Sequence, residues 1–218
     1  EAWGSLARKL AHEIKNPLTP IQLTIDRIKH KYENQITDES KDAFKDNLKI
    51  INNQIKQIEK LVNEFSDFAR MPKPVFINND IVLIINDNIN LLKEIDPSIK
   101  FNFMKNKNKI VLNSDKEQMS RVFLNLFKNS IESIKEKAEI TSNLDKNISI
   151  ELVDENNHII VIIEDTGVGF NKLNNNIRDI LNPYFTTKKN GTGLGLSIVN
   201  KIINDHNGKI KFVNISGG

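Results

Sequence analysis

The sequence predicts an α+β protein with two domains, an N-terminal antiparallel helical hairpin followed by an α/β sandwich. Three observations lead to this fold class. An apolar stripe with helical spacing runs through the first 70 residues, prolines interrupt it at Pro72 and Pro74, and short apolar strands alternate with helices beyond them. At 218 residues, with 39% hydrophobic and 27% charged residues, the chain can form two small globular domains.

Each helix of the predicted hairpin carries one apolar stripe spaced by four and three residues, and in the first helix one extra step of four falls at Leu18, where Pro17 would disturb the helix. In the second helix the stripe consists of Phe44, Leu48, Ile51, Ile55, Ile58, Val62, Phe65 and Ala69. In the first helix it consists of Trp3, Ala7, Leu10, Ile14, Leu18, Ile21, Ile25, Ile28 and Tyr32. The polar residues 33–41 connect the two. Because one hairpin leaves its stripe half covered, we expect a homodimer in which two copies form a four-helix bundle.

The segment Arg70-Met71-Pro72-Lys73-Pro74 marks the predicted domain boundary, because a proline disfavours helical geometry in the residue before it. The first domain is therefore predicted at 1–71 and the second at 74–218. In the second domain we predict strands near 75–79, 100–104, 109–112, 147–154, 158–164 and 209–213. Helices are predicted near 80–95, 115–136 and 192–206, with an irregular segment at 170–191.

Composition excludes several functional classes. The net charge is +3 and the charged residues are spread along the chain, so no basic block indicates contact with nucleic acid. The absence of cysteine excludes disulfides and thiolate metal sites. No apolar run approaches the roughly 20 residues that a membrane span needs. We expect a cytoplasmic segment without membrane contact.

The first candidate site surrounds His12. This residue lies two positions from both Leu10 and Ile14, a rotation of about 200° that points it away from the core. Glu13 is its neighbour, and Asn16 follows one turn later on the same face. An imidazole beside a carboxylate is suited to act as a nucleophile, since Glu13 can take the ring proton as Nε2 is phosphorylated. A solvated surface histidine is the alternative. Against it, a proline inside a helix, as at position 17, costs about 3 kcal/mol without a stabilising purpose.

Glycine provides the second signal, because five of the nine glycines fall between positions 167 and 195. The run Asp165-Thr166-Gly167-Val168-Gly169 follows an apolar strand. There Asp165 can accept a hydrogen bond from an exocyclic amine such as that of adenine, while glycines let the backbone approach a ring. The run Gly191-Thr192-Gly193-Leu194-Gly195 leads into a helix whose first amides attract phosphate. A glycine-rich turn with a capping aspartate is the alternative for the first run. A dinucleotide fingerprint is excluded for the second, since no βαβ unit follows it.

Two helical asparagines form the third signal. Asn125 and Asn129 are one turn apart on an otherwise apolar helix. The side-chain carbonyl of Asn129 suits Mg²⁺, which binds a few protein groups together with substrate phosphates. Both asparagines could instead be amides hydrogen-bonded to a loop.

Two lysines in the irregular segment complete the candidates. Lys188 and Lys189 follow Phe185 and could reach a γ-phosphate, although loop lysines are more often only solvated. The remaining histidines, His30, His158 and His206, receive no role.

Together these motifs resemble the five signature boxes of the histidine kinases, in the order of that family and over nearly the whole chain. The boxes are the H box at 12–17, the N box at 125–129, the G1 box at 165–169, the F box at 182–185 and the G2 box at 191–195. Residues 17–23 and 64–74 further resemble the sensor kinases of nitrogen regulation.

The resemblance implies a Bergerat-type ATP-binding domain, a hairpin for dimerisation and histidine phosphotransfer, and an aspartate on a response-regulator receiver as phosphoryl acceptor. Its cofactors would be ATP and Mg²⁺, and its parent protein would be anchored in the inner membrane of a bacterium. In the resembling families the residue at the place of Asn16 serves regulator dephosphorylation, whereas Glu13 is tied to the kinase step.

Two other functions stay open, and the sequence departs from the family at two places. A related ATPase clamp would carry a glutamate one turn before the metal-binding asparagine, where this chain has Asn125. A non-catalytic scaffold would have degenerate boxes, but all five are intact. Thr166 replaces the asparagine common in the G1 box. The family's domain normally has one more strand after the Ser-Gly-Gly turn, at which this sequence stops.

Overall fold

The computed structural model describes residues 2–170, 180–186, 188 and 191–213. The chain divides into two compact units, Glu1–Pro72 with Lys188–Leu194, and Lys73–Thr187 with Gly195–Gly218. A helical hairpin precedes a domain of helices and sheets, so the predicted fold class is confirmed. The assignment of functional domains to 1–71 and 74–218 stays a prediction.

The hairpin consists of α1, Ala2–Tyr32, and α2, Asp38–Ala69. Its core is a buried cluster of Leu18, Ile25, Leu48 and Ile55. The connection predicted at residues 33–41 was too long, since α2 already begins at Asp38. Polar residues can form the first turn of a helix while they face solvent, so a polar stretch does not show where a helix begins.

Helix α1 continues through Pro17 and Pro20. Each proline lacks an N–H and therefore leaves the carbonyl four residues earlier without its helical donor. Further along, the hydroxyl of Thr24 donates to the carbonyl of Pro20 at 2.8 Å. Helix α1 is therefore continuous at Pro17, and the disturbance expected there is the loss of a helical hydrogen bond.

The hairpin buries only part of its apolar stripe. Among the aliphatic residues of the stripe, Leu10, Ile21, Ile51 and Ile58 are between 40% and 48% exposed. These side chains are large and apolar, so a further covering surface would stabilise them.

The second unit contains two sheets. Strands β1, Ile77–Asp80, and β3, Val111–Ser114, pair antiparallel. Strand β4, Asn147–Glu155, lies between the parallel β2, Lys100–Lys105, and the antiparallel β5, His158–Asp165. The register pairs Ile148 of β4 with Asp165, so the last residue of β5 lies beside the start of β4.

Three helices complete this unit, and its core lies between them and the sheets. They are α3, Ile81–Ile95, α4, Lys116–Ile140, and α5, Gly195–Asp205. Phe127 of α4 is fully buried, and its ring meets the ring of Phe101 edge-on with centroids 5.8 Å apart. Ile148, Ile150 and Leu152 of β4 are fully buried as well. This apolar face of α4 therefore packs into the core of the unit.

His206, which received no role from the sequence, has a structural one. Its Nε2 accepts a hydrogen bond from the backbone N–H of Asp115 at 3.0 Å, and its Nδ1 lies 2.8 Å from the carbonyl of Ile202. The Asp115 carboxylate in turn accepts from the N–H of Val75 at 2.8 Å. Burial would raise the pKa of Asp115, but the backbone donors of Gln118, Val75 and Glu117 and the nearby imidazole lower it on balance. The start of this unit is thereby fixed to α4 and α5.

Two predicted elements of the second unit were wrong in detail. Helix α5 begins at Gly195 rather than near 192, because Gly193 has a φ of 70°, which a right-handed helix does not contain. Residues 209–213 form no strand in the structure. Phe212 instead packs edge-on against Phe170 with ring centroids 5.8 Å apart. The alternating pattern there indicated burial of one side, which does not require strand pairing.

A prediction concerns Asp96, the residue that follows α3. The Lys135 ammonium at 2.7 Å and the Ser98 hydroxyl at 2.7 Å lower the pKa of this carboxyl to about 2. We expect Asp96→Asn to lower the free energy of unfolding by up to about 1 kcal/mol at pH 7, since Lys135 is largely solvated. A carboxyl whose pKa is lower in the folded than in the unfolded chain stabilises the fold at pH values above its unfolded pKa. The difference in the free energy of unfolding between the wild type and the variant should therefore shrink as the pH falls from about 4 towards 2. Urea unfolding at pH 7, 5 and 3 measures this, and a difference that does not change with pH would contradict it.

Candidate functional site

The candidate residues of α1 lie on one solvent-facing side. His12, Glu13 and Asn16 are all exposed, whereas Ala11 is only 4% exposed. The imidazole therefore projects from the hairpin next to a buried small residue. Pro17 cannot donate to the carbonyl of Glu13, so backbone acceptor capacity is left beside the histidine.

The G1 run forms a tight turn at the end of β5. The Asp165 carboxylate is exposed, and one of its oxygens accepts a hydrogen bond from the N–H of Gly167 at 2.9 Å. The other carboxylate oxygen of Asp165, and the remaining lone pair of the first one, can accept hydrogen bonds from a ligand. The Thr166 hydroxyl donates to the carbonyl of Asp145 at 2.6 Å and accepts from the N–H of Asn147 at 3.1 Å. The threonine that departs from the family pattern thus joins β5 to the start of β4.

Gly167 is required by a close approach to α4. A Cβ at this position would lie 2.6 Å from the backbone carbonyl carbon of Ser133. The next residue, Val168, donates its N–H to the carbonyl of Ser133 at 3.4 Å. Gly169 has a φ of 64°, which favours glycine. The G1 turn therefore lies directly on α4 at Ser133, four residues after Asn129.

We predict that Gly167→Ala destabilises the second unit. The added methyl group meets the backbone of Ser133 as well as its side chain, so the G1 turn has to shift, at a cost of about 1–3 kcal/mol. Urea unfolding followed by circular dichroism measures the loss. Gly208→Ala is the control, because a Cβ there would meet mainly Cγ2 of Ile203, at 2.9 Å, and would stay 3.3 Å from the nearest backbone atom, the carbonyl oxygen of Ile203. Equal losses in the two variants would contradict the prediction.

The N box and the start of α5 also meet. Asn125 is half-buried and donates its amide to the carbonyl of Arg121 at 2.8 Å. Its Oδ1 would lie 3.2 Å from a Cβ at Gly195, so glycine lets α5 begin close to this side chain. Asn129 is half-buried one turn later on α4. Within the second unit, α4 therefore carries Asn125 and Asn129, and the G1 turn and the first residue of α5 lie close to it.

The rest of the G2 run belongs to the first unit. Gly191, Thr192 and Gly193 are half-buried and Leu194 is fully buried. The hydroxyl of Thr192 donates to the carboxylate of Glu64 and accepts from the N–H of Leu194 at 3.4 Å.

The F box and its lysines are described only in part. Phe185 is 36% exposed, and its N–H donates to the carbonyl of Asn182 at 3.2 Å. The carbonyl of Lys188 accepts from the N–H of Gly191 at 3.2 Å. Lys189 and residues 171–179 of the predicted irregular segment lie outside the described residues.

The second unit is compatible with a nucleotide and its metal. Turns that only glycine fits bring backbone close to α4, and Asp165 presents a carboxylate beside them. Among the described residues no three His, Cys, Asp or Glu side chains form a metal cluster. A cation held by Asn129 would therefore need ligand phosphates to complete its coordination, as Mg²⁺ normally does.

Sequence reasoning missed a pocket on the hairpin. It has a volume of about 190 Å³ and is lined by His12 and by the cations Arg8, Lys15 and Arg70. The spacing of Arg8, His12 and Lys15 by four and then three residues could have revealed the part on α1. The contribution of Arg70 depends on how the two helices pair, which has no local signal.

Within the described part of the chain, no helix is both long and apolar enough to span a membrane. This applies to α1 and α2 as well, whose outer faces are charged.

Two family models match the chain. Residues 2–74 match the His Kinase A phospho-acceptor domain, and residues 114–218 match the histidine kinase-, DNA gyrase B- and HSP90-like ATPase. The hairpin and the ATPase fold thus each correspond to a known family, in the order predicted from the boxes.

The similar proteins are sensor kinases. The nitrogen regulation protein NtrY of Azorhizobium caulinodans is 36% identical over 96% of this chain and 27% of its own length. A putative sensor histidine kinase NtrY-like of Rickettsia bellii is 33% identical over the whole chain and 34% of its own length. The chain thus spans about a third or less of these relatives. In the solved complex of histidine kinase ThkA with response regulator TrrA, the matched protein is 25% identical, with a TM-score of 0.60 over 94% of this chain and 56% of that one. These similarities, together with the two domain families, show that the chain belongs to the sensor histidine kinases.

Proposed function

We propose that this chain is the catalytic core of a two-component sensor kinase, which transfers the γ-phosphoryl group of ATP to His12 and from there to an aspartate of a response regulator. The observation that carries the proposal is the exposed His12, which projects from α1 beside Glu13 and next to a pocket rich in cations. Residues 1–71 would be the dimerisation and phosphotransfer domain, and 74–218 the ATP-binding domain.

The step at His12 is a substitution at phosphorus. The lone pair of Nε2 attacks the γ-phosphorus, and an Nε2–P bond forms as the bond from phosphorus to the bridging oxygen breaks. ADP leaves with that electron pair, and the ring proton passes to Glu13. Residues 12 and 13 are both exposed, so substrate can approach them without opening the hairpin core.

The nucleotide would bind along α4. Asp165 would accept from the adenine amine, with Gly167 and Gly169 against the ring and Phe185 beside it. The phosphates would be contacted by Asn125 and by the G2 run, Gly191, Thr192, Gly193, Leu194 and Gly195. Lys188 would approach the γ-phosphate, and Asn129 would hold Mg²⁺. When bound, the metal would neutralise phosphate charge, while these residues fix the orientation of the chain of phosphates.

An ATPase clamp is disfavoured by the chemistry of Asn125. Hydrolysis by that class needs a base one turn before the metal ligand to activate water, and a neutral amide cannot take a proton. The Asn125 amide is moreover engaged with the carbonyl of Arg121.

A homodimer and a receiver domain are the proposed partners. The half-exposed stripe residues Leu10, Ile21, Ile51 and Ile58 supply an apolar surface that a second hairpin would cover, as expected for a four-helix bundle. The solved complex of ThkA with TrrA supports a response regulator as the second partner. A cytoplasmic location, and a membrane anchor elsewhere in the parent protein, stay predictions.

The decisive experiment is the chemistry of the label after incubation with γ-labelled ATP. A phosphohistidine is labile in acid and stable in base, and we expect label of this kind on the protein. Release of free phosphate without labelled protein would instead favour the ATPase, and neither product would favour a scaffold.

The two neighbours of His12 should separate the two half-reactions. We predict that Asn16→Ala slows dephosphorylation of the regulator at least about tenfold but autophosphorylation little, because a carboxamide one turn from His12 can orient a water. Glu13→Ala should do the opposite, since the carboxylate takes the ring proton. In both variants, dephosphorylation is measured with purified phosphorylated regulator, and autophosphorylation is measured with γ-labelled ATP. Equal losses would favour a structural role for Asn16, which precedes Pro17.

A further inference from the structure

A pocket beside His12 is lined by both helices of the hairpin. On α1 it is formed by Arg8, His12 and Lys15, spaced by four and three residues and therefore on one helical face. Ala11, 4% exposed, lies between them, and its small side chain leaves room. The volume of about 190 Å³ exceeds what a single water needs.

Helix α2 contributes the opposite wall. Asn63, Ser66, Asp67 and Arg70 are spaced by three, one and three residues and share one face. Ser66 is 7% exposed, whereas the side chain of Arg70 is 43% exposed. Arg70 follows the last residue of α2, and its guanidinium lies 4.0 Å from the carboxylate of Asp67. The wall therefore presents a hydroxyl, an amide, a carboxylate and a cation.

The charge of this pocket favours an anion. Arg8, Lys15 and Arg70 bring three positive charges, and Asp67 brings one negative charge. Like charges around one pocket repel each other, and an exposed pair such as Arg70–Asp67 contributes little to stability. The arrangement is therefore not explained by the stability of the hairpin, whereas a phosphoryl group, with nearly two negative charges and three acceptor oxygens, would remove the repulsion.

We propose that Arg8, Lys15 and Arg70 form a subsite that binds the phosphoryl group carried by Nε2 of His12. The inference rests on the proposed function and extends it to Arg8 and Arg70, which lie outside the H box. As the Nε2–P bond forms, the three cations surround the phosphoryl oxygens and stabilise the phosphohistidine. Asp67, which has the same sign of charge as the phosphoryl group, weakens its binding and holds Arg70 at the rim.

The first test uses inorganic phosphate and needs no ATP. Phosphate is titrated into the whole chain, and the His12 ring protons are followed by nuclear magnetic resonance. We expect Arg8→Gln and Arg70→Gln each to weaken phosphate binding about tenfold, the effect of one charged hydrogen bond. Lys9→Gln and Lys56→Gln remove the same charge from exposed positions that do not line the pocket, and should change it less than about twofold. Equal weakening in all four variants would show a general charge effect and overturn the proposal.

The second test uses phosphoramidate, a small phosphoryl donor that does not require the ATP-binding domain. Arg8→Gln and Arg70→Gln should slow phosphorylation of His12 about tenfold, with unchanged affinity for a fluorescent ATP analogue. Arg70→Lys should restore part of the rate, and Asp67→Asn should tighten phosphate binding. These two variants decide the matter if a glutamine variant fails to fold. Rates equal to that of Lys9→Gln, or weaker binding in Asp67→Asn, would refute the subsite.

The two proposals fail in different ways. If ATP labels His12 but the arginine variants behave like Lys9→Gln, the kinase stands and the subsite is refuted. If phosphoramidate phosphorylates His12 at a rate that depends on Arg8 and Arg70, but ATP does not label His12 at all, the subsite stands and the kinase function is wrong.

Discussion

Replacing His12 by glutamine is expected to reduce incorporation of label from γ-labelled ATP by at least about 1000-fold, because His12 supplies the one imidazole of the H box. Glutamine keeps a polar side chain of similar length but has no ring nitrogen with a free lone pair. His12 is exposed on α1, so the hairpin core of Leu18, Ile25, Leu48 and Ile55 should not change. Affinity for a fluorescent ATP analogue is therefore expected to equal that of the wild type.

The matched control is His30→Gln. His30 is also an exposed histidine of α1, but it lies more than four turns from His12 and has no neighbouring box. Its substitution should leave the label unchanged. Acid-labile, base-stable label that persists in His12→Gln would place the phosphoacceptor elsewhere and disprove the site assignment.

The elements that the sequence predicted best are those whose burial is periodic. Ile148, Ile150 and Leu152 alternate along β4 and are fully buried, and the four-three spacing of Leu48 and Ile55 leads to the hairpin core. Side-chain periodicity directly records which face of an element is buried. For this reason both halves of the fold could be inferred before their arrangement was known.

The errors arose where burial and hydrogen bonding diverge. Residues 209–213 alternate like a strand, but Phe212 is placed by its ring contact with Phe170 and not by strand pairing. The start of α5 was placed too early, since an apolar pattern does not report the positive φ of Gly193. A local pattern therefore predicts the side that is buried better than it predicts the limits of an element.

In the candidate site as well, local motifs could be predicted from the sequence, whereas contacts between separate elements could not. The motifs around His12 and Asp165 are contiguous in sequence and could be predicted from local chemistry. The pocket that joins Arg8 and Lys15 to Arg70 depends on which residues of α1 and α2 face each other. Neither helix alone indicates that pairing, so the third cation could be recognised only in the structure.

The second large effect is expected at Asn129, through the metal. If its side-chain carbonyl is a ligand of Mg²⁺, Asn129→Ala should weaken binding of a fluorescent ATP analogue about 10- to 100-fold in Mg²⁺. In excess chelator the metal is absent, and the variant and the wild type should then bind with similar, lower affinity. A merely structural role on α4 would weaken binding by the same factor in both conditions, so the comparison separates the two explanations.

Asn90→Ala is the control for this experiment, because Asn90 is an exposed asparagine of another helix, α3, and none of the boxes includes it. It should bind the analogue like the wild type with and without Mg²⁺. The hairpin should be unaffected by either substitution, so phosphoramidate should phosphorylate His12 at an unchanged rate. If Asn129→Ala binds as tightly as the wild type in Mg²⁺, the metal lies elsewhere and the placement of the nucleotide along α4 is wrong. If the loss is instead equal with and without Mg²⁺, Asn129 contacts the nucleotide or supports the G1 turn that lies against Ser133, and the metal ligand has to be sought among other residues of the second unit.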